Sequence, residues 1–243
     1  YDPELNLLYW GTGNPGPDYN GDARAGDNLY SSSLLALDAD TGHLRWHFQF
    51  TPHDVHDRDS AQVPVLIDQV VGGRMRKLVV NANRNGFYYV LDRETGEFLT
   101  GTPFVKQDWA NGLDAKGRPI ARPESVPTTG GTKVYPGPEG ASNWMSPSFS
   151  PLTRLYYVTA FDNYPGMFYK RAMPYTAGRD FEGGIGTNVA GNEAEAVVKA
   201  LDPATGRLRW QFQLHSLAYS GLLTTAGGLV FGGTGVVVAQ IRV

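Results

Sequence analysis

The sequence predicts an all-β chain built from consecutive blades of a β-propeller, and three observations carry that prediction. A hairpin signature recurs without gaps: Ala36 to Trp46, Val90 to Thr100 and Ala200 to Trp210 all align on Leu-Asp-x-x-Thr-Gly. Turn-forming and ring residues are abundant, with 30 Gly, 16 Pro and 12% aromatics, the mix expected of many short strands joined by tight turns. Helical periodicity is nearly absent, apart from a candidate turn at Glu193 to Ala196.

The hairpin unit has a physical rationale. A buried strand ends at Leu-Asp, and the aspartate side chain can accept backbone N–H groups of the turn that follows. Thr-Gly closes that turn because glycine adopts positive φ freely. The next strand ends in Trp46 or Trp210, rings large enough to pack between neighbouring sheets. Thr100 stands where the second unit would carry Trp, so a weaker blade contact is expected there. Leu37 and Leu91 lie 54 residues apart and Leu91 and Leu201 lie 110 apart. The doubled interval predicts one diverged repeat in between, around Phe149 to Ala160. A period of this length suits a four-stranded blade.

In chain order, Trp10-Gly11-Thr12-Gly13-Asn14-Pro15-Gly16-Pro17 reads as a strand entering a rigid turn. Its glycines permit close approach, and Asn14 offers a carbonyl oxygen suited to a hard cation. As an ordinary turn it needs neither function. Thr51-Pro52-His53-Asp54-Val55-His56-Asp57-Arg58-Asp59-Ser60 is the densest polar cluster, suited to metal binding or proton transfer, or else a solvated loop of mutually neutralising charges. Lys77 to Asn83 and Phe87 to Leu91 are strands joined by a turn at Arg84-Asn85-Gly86, where Asn-Gly is a strong hairpin signal. Arg84 is by default an exposed turn residue, or a donor to an anionic or quinone oxygen. Residues 107–144, with Pro119, Pro123, Pro127, Pro136 and Pro138, break the period and read as a loop insertion over one face. Leu155 to Thr159 and Leu229 to Phe231 are further strands. His43, His47 and His215 are read as structural. Both termini look cut from within a repeat.

A net charge of −3 and the lack of any basic run give no reason to expect nucleic acid. No apolar stretch is long enough for a membrane-spanning helix. The absence of cysteine leaves the redox compartment open.

Taken together, Gly11 to Gly16, Gly26-Asp27-Asn28-Leu29-Tyr30, Thr51 to Asp57, Asn83 to Gly86, Leu91-Asp92-Arg93, Asn143-Trp144 and Thr225 to Phe231 resemble, in order and spacing, the methanol/ethanol family of dehydrogenases dependent on pyrroloquinoline quinone (PQQ). The resemblance implies a partial eight-bladed β-propeller, with about four blades present within a single domain over residues 1–243. It implies oxidation of a small primary alcohol by hydride transfer to PQQ held by Ca²⁺ or a lanthanide, with a cytochrome c as electron acceptor and periplasmic residence. By the same resemblance Asp57 is the catalytic base and a metal ligand, Asn14 a metal ligand, and Arg84 the donor to the quinone oxygens. Asn143 and Tyr219 lie near the cofactor, and Asp59 marks lanthanide-using members. His56 stands where the family often has Trp, and Tyr219 where methanol-oxidising members tend to carry Trp. The family's glutamate ligand, stacking tryptophan and paired cysteines belong to earlier blades, so the chain alone is expected to be inactive and aggregation-prone. Two alternatives remain. Tyr30-Ser31-Ser32-Ser33 and Trp46-His47-Phe48 suit a PQQ sugar dehydrogenase, although that branch tends to use lysine in place of Arg84. A non-catalytic scaffold would not need Asn14, Asp57 and Arg84 together.

Overall fold

The structure is a computed structural model that describes residues 1–189, 195–214, 216–234 and 238–242. Its secondary structure is almost wholly β. The first sheet holds β1 (Leu7–Gly11), β2 (Ser33–Asp38) and β3 (Leu44–Gln49), and the second holds β4 (Val65–Val71), β5 (Arg74–Ala82), β6 (Phe87–Asp92) and β7 (Phe98–Pro103). An inserted stretch follows with β8 (Ala110–Leu113), β9 (Pro119–Ala121) and β10 (Thr132–Val134). The third sheet takes β11 (Ser148–Ser150) and β12 (Leu155–Asp162), leaves the chain free for β13 (Gly166–Lys170) and β14 (Gly184–Asn188), and is completed by β15 (Glu195–Leu201) and β16 (Leu208–Gln213). The last sheet holds β17 (Leu223–Thr224), β18 (Leu229–Gly233) and β19 (Val238–Arg242). Within each of these four sheets neighbouring strands are antiparallel, so four blades of a β-propeller are present, as the sequence predicts.

The core lies between blades, because a sheet stacked on both faces must present apolar side chains on both. Along β6 the alternation divides the residues: Phe87, Tyr89 and Leu91 join a cluster with Tyr9 and Trp46 of the first blade. Tyr88 and Val90 join Tyr156 and Val158 of the third. Along β12, Tyr157 and Phe161 turn the other way, to Val198, Leu222 and Val230. A two-sided strand of this kind reads as an unbroken apolar run, as Phe-Tyr-Tyr-Val-Leu does.

The recurring turn forms as its chemistry dictates. Asp38 Oδ1 accepts from the backbone N–H groups of Asp40 and Thr41 and from the Thr41 hydroxyl. Asp92 and Asp202 repeat the pattern with Thr95 and Thr205. Gly42, Gly96 and Gly206 have φ of 72°, 77° and 70°. The glycine also serves the next contact. A Cβ on Gly96 would lie 2.7 Å from the Trp46 ring, whose Nε1 donates to Arg93 O at 3.2 Å.

Four expectations change. Thr100 does not leave the second blade poorly docked: Tyr88 takes the tryptophan's part, lying over Gly206 and donating from its hydroxyl to Pro203 O at 3.1 Å. The ring comes from the neighbouring strand, which a reading confined to aligned positions misses. No diverged blade separates Leu91 from Leu201, because Phe149 to Ala160 and Leu201 share one sheet. The doubled interval comes from two insertions instead. Residues 107–144 are not bare loop, since β8 pairs with β9, and β10 pairs with β13 of the second insertion. Strand β15 begins at Glu195, so no helical turn reaches Ala196. Residues 190–194 and His215 lie outside the described residues.

Replacing Trp46 or Tyr88 by alanine should cost about 3–5 kcal/mol of stability, and Tyr88→Phe about 1 kcal/mol, measured by urea unfolding of the full-length protein. A neutral Tyr88→Ala would show that this ring does not replace the missing tryptophan.

Candidate active site

The site is assembled where three segments meet at the ends of the first two blades. Beyond β1 the chain runs beside residues 59–60: Ser60 N donates to Thr12 O at 2.9 Å. A Cβ on Gly11 would come within 1.9 Å of Ser60 O, so only glycine allows this approach. The pairing sets Asn14 against Asp59, whose Oδ1 accepts the Asn14 backbone N–H at 2.9 Å. The Asn14 side chain hydrogen-bonds to the Asp18 carboxylate.

The Thr51–Ser60 cluster is not a solvated loop. Asp54, His56, Arg58 and Ser60 are all buried. Asp54 acts as a turn carboxylate, accepting from the backbone N–H groups of His56 and Arg58 at 3.1 and 2.6 Å. His56 donates from Nε2 to Ser125 O at 2.8 Å. Burial holds its imidazole down to about 3, so it is neutral at physiological pH and moves no proton there. Arg58 points away from its neighbours Asp57 and Asp59 into the core, within reach of Arg84 O and Pro136 O and over the Trp109 ring.

Arg84 is likewise not an exposed turn residue, being 8% accessible. The turn beneath it is fixed by asparagines: Asn83 Oδ1 accepts from Asn85 N, Asn85 Oδ1 from Phe87 N, and Asn85 Nδ2 donates to Phe50 O and Tyr89 Oη. Arg84 Nη2 donates to Asp57 Oδ2 at 3.2 Å and to Pro138 O at 2.6 Å. Its Nη1 lies 3.7 Å from Asp59 Oδ2. Its Nε, although buried, has no hydrogen-bond partner among the described residues, an orphaned donor.

Asp57, Asp59, Asn14 and Arg84 are therefore brought together. Asn143 and Tyr219 stand one step away, Asn143 on the segment whose Pro138 and Gly140 lie against Arg84 and Tyr219 between β16 and β17. Asn143 Nδ2 donates to Glu139 O at 3.3 Å. Tyr219 hydrogen-bonds to the Glu139 side chain and packs on Phe161. Sequence reasoning missed Asp18, whose carboxyl is pushed up by burial and by Glu182, Asp54 and Asp59. It also missed Arg58. The Asp18 signal was available, four residues beyond Asn14 across a turn.

Burial pushes the Asp57 carboxyl up to about 7. Asp59, Asp54 and Asp18 reinforce the shift and Arg84 opposes it. Three acids around one arginine leave negative charge in excess, which a bound cation would neutralise. Among the described residues no three His, Cys, Asp or Glu side chains gather in a metal-ligand arrangement. Asn14, Asp57 and Asp59 carry amide and carboxylate oxygens, a donor type suited to a hard cation. The orphaned Arg84 Nε fits a quinone or carboxylate oxygen.

Carboxylates and a buried arginine gathered at the blade ends of a β-propeller suit a bound cation and an oxygen-bearing cofactor, and comparison with known proteins gives the family. The profile described as the β-propeller domain of PQQ glucose, ethanol and alcohol dehydrogenases matches residues 1–112. The quinoprotein alcohol dehydrogenase PedH of Pseudomonas putida is 43% identical over 96% of this chain and 40% of its own length. The quinohemoprotein alcohol dehydrogenase of Comamonas testosteroni is 38% identical over 96% of this chain and 35% of its own length. A europium-containing methanol dehydrogenase superposes with a TM-score of 0.89 at 35% identity, over 96% of this chain and 42% of that one. The chain belongs to the family of PQQ-dependent quinoprotein alcohol dehydrogenases. It spans 40% or less of the length of these two curated relatives.

The raised pKa of Asp57 gives a signed expectation. A carboxyl whose folded value lies above its unfolded one adds stability that is complete below about pH 4 and lost as pH rises through about 7. In the metal- and cofactor-free full-length protein, the stability difference between wild type and Asp57→Asn should move in favour of the variant from pH 5 to 8. A difference that stays flat across that range would show Asp57 to be solvated.

Proposed function

We propose that the protein to which this chain belongs oxidises small primary alcohols to aldehydes, with Asp57 as general base. The observation that carries this reading is the Asp57–Arg84 pair at 3.2 Å, with the acid raised to about 7. A carboxylate held in place by an arginine is positioned to accept a hydroxyl proton. Bound PQQ supplies the hydride acceptor, and its Ca²⁺ or lanthanide ion the Lewis acid.

The chain's own groups have separate tasks in this reading. Asn14, Asp57 and Asp59 would hold the cation, with Asp59 adding the charge that favours a trivalent ion. Asp57 receives the substrate proton on a carboxylate oxygen. Arg84 would donate from Nε to a cofactor oxygen while its Nη2 keeps Asp57 oriented. Asn143, from the segment beside Arg84, and Tyr219, from the connection between β16 and β17, would border the cofactor. Thr12, Ser60 and the asparagines around Arg84 hold the three strands at fixed separation.

The family also supports periplasmic residence and electron transfer to a cytochrome c. Relatives named quinohemoproteins support a haem partner in this reading. No helix among the described residues is long and apolar enough to cross a membrane. The 243 residues by themselves should not turn over alcohol, since they correspond to 40% or less of the curated relatives and leave Leu208 and Phe212 of β16 exposed.

Dye-linked assays of the PQQ- and metal-loaded full-length protein test the reading. Ethanol should be oxidised and glucose should not. Asp57→Asn should lower kcat roughly 10²–10⁴-fold. Arg84→Lys should weaken PQQ retention, because a point charge cannot replace the orphaned Nε donor. Glucose turnover above ethanol turnover would assign a sugar dehydrogenase, and unchanged activity in Asp57→Asn would remove Asp57 as the base.

A further inference from the structure

A cavity of about 230 Å³ lies between the Thr51–His56 turn, Tyr19 and the inserted segment around Trp109 to Val126. Neither Asp57 nor Arg84 lines it, and the site described above makes no use of it. Its walls are largely apolar, with Tyr19, Val55, Trp109 and Val126 among them.

Two buried polar side chains in the lining have unused hydrogen-bonding capacity. The His56 Nε2 is bonded to a carbonyl oxygen, Ser125 O. A carbonyl only accepts, so Nε2 carries the proton and the neutral ring leaves Nδ1 as an acceptor. Among the described residues nothing donates to that Nδ1. Thr51 Oγ1 accepts from Asn85 Nδ2 at 3.3 Å, and its own proton has no acceptor among the described residues. Both side chains are at least nine-tenths buried. One acceptor and one donor in an apolar enclosure complement a hydroxyl group, which does both.

The charges at the mouth do not call for an ion. Arg118 is held by Asp27 at 2.6 Å, Lys170 by Asp22 at 2.8 Å, and Arg122 lies 3.7 Å from Glu124. With its cations paired, the mouth favours an uncharged ligand. An apolar cavity of about 150 Å³ accepts benzene, so this one has room for a ring with a short hydroxylated arm.

We propose that this cavity is a second binding site, separate from the Asp57–Arg84 site, for a small uncharged hydroxyl compound with a compact apolar body, its hydroxyl served by His56 and Thr51. The ligand packs against the segment that leads directly into Asp57. The inference does not depend on alcohol oxidation, because binding is read without turnover.

The test uses cofactor-free full-length protein and 4-fluorobenzyl alcohol, followed by fluorine NMR. Saturable binding is expected in wild type and equally in Asp57→Asn. Ala121→Trp blocks the cavity from an exposed strand position, and His56→Phe removes the acceptor. Each should weaken binding about tenfold or more, with folding checked by circular dichroism. Binding of 4-fluorotoluene, which lacks the hydroxyl, should be weaker by a similar factor. The proposal is overturned by no saturable binding, by binding that survives in Ala121→Trp but is lost in Asp57→Asn, or by equal affinity for the toluene. Alcohol oxidation could fail in the loaded enzyme while every one of these outcomes remained readable.

Discussion

The structure depends on one repeated constraint: an aromatic ring of one blade packs against the glycine of the next blade's turn. Trp46 does this over Gly96 and Tyr88 over Gly206. In both cases the ring's polar atom donates to the backbone oxygen two residues before the turn threonine, Arg93 O or Pro203 O. The contact joins a large apolar burial to a directional hydrogen bond, so it fixes both the distance and the rotation between sheets. Arg93 strengthens the first junction further. Its backbone oxygen also accepts from Tyr9 Oη, and its buried guanidinium meets Asp2. Blades held this way cannot slide past one another without losing several kcal/mol at each junction.

That rigidity permits the charge arrangement at the blade ends. Asp57, Asp59 and Arg84 come from segments with no shared ladder, yet they meet within 3.2 to 3.7 Å. Keeping acids together in a partly buried place opposes their ionisation, as the upward shift of Asp57 shows. The protein tolerates the arrangement because the surrounding backbone is over-determined. Gly11 admits Ser60 O, and Gly140, at φ 74°, lies so close to the Arg84 side chain that a Cβ would fall 2.1 Å from Cγ. A site that is electrostatically incomplete alone is ready for a cation.

Much of this was legible in the sequence where a local chemical rule operates. The Asp-x-x-Thr-Gly turn is such a rule, since its aspartate, threonine and glycine each have a fixed task within six residues. The convergence of Asn14, Asp57 and Arg84 was legible only through resemblance, because their spacing along the chain carries no geometry. Burial of the Thr51–Ser60 cluster was not legible. Charged residues read as solvated until the sheet that covers them is known. The Tyr88 contact was hidden for a related reason: a ring two positions from the aligned one, on the adjacent strand, reaches the same glycine. The two insertions misled the blade count between Leu91 and Leu201, because β13 and β14 carry no repeat signature and lengthen the chain between β12 and β15 without joining the third blade's sheet.

The central claim is that Asn14, Asp57 and Asp59 share one hard cation beside Arg84. Anomalous diffraction from a lanthanide-loaded crystal of the full-length, PQQ-bound protein tests it most directly. The expected result is a single strong peak within about 2.3–2.6 Å of oxygens from these three side chains. A peak elsewhere, with Asp57 still paired only to Arg84, would contradict it.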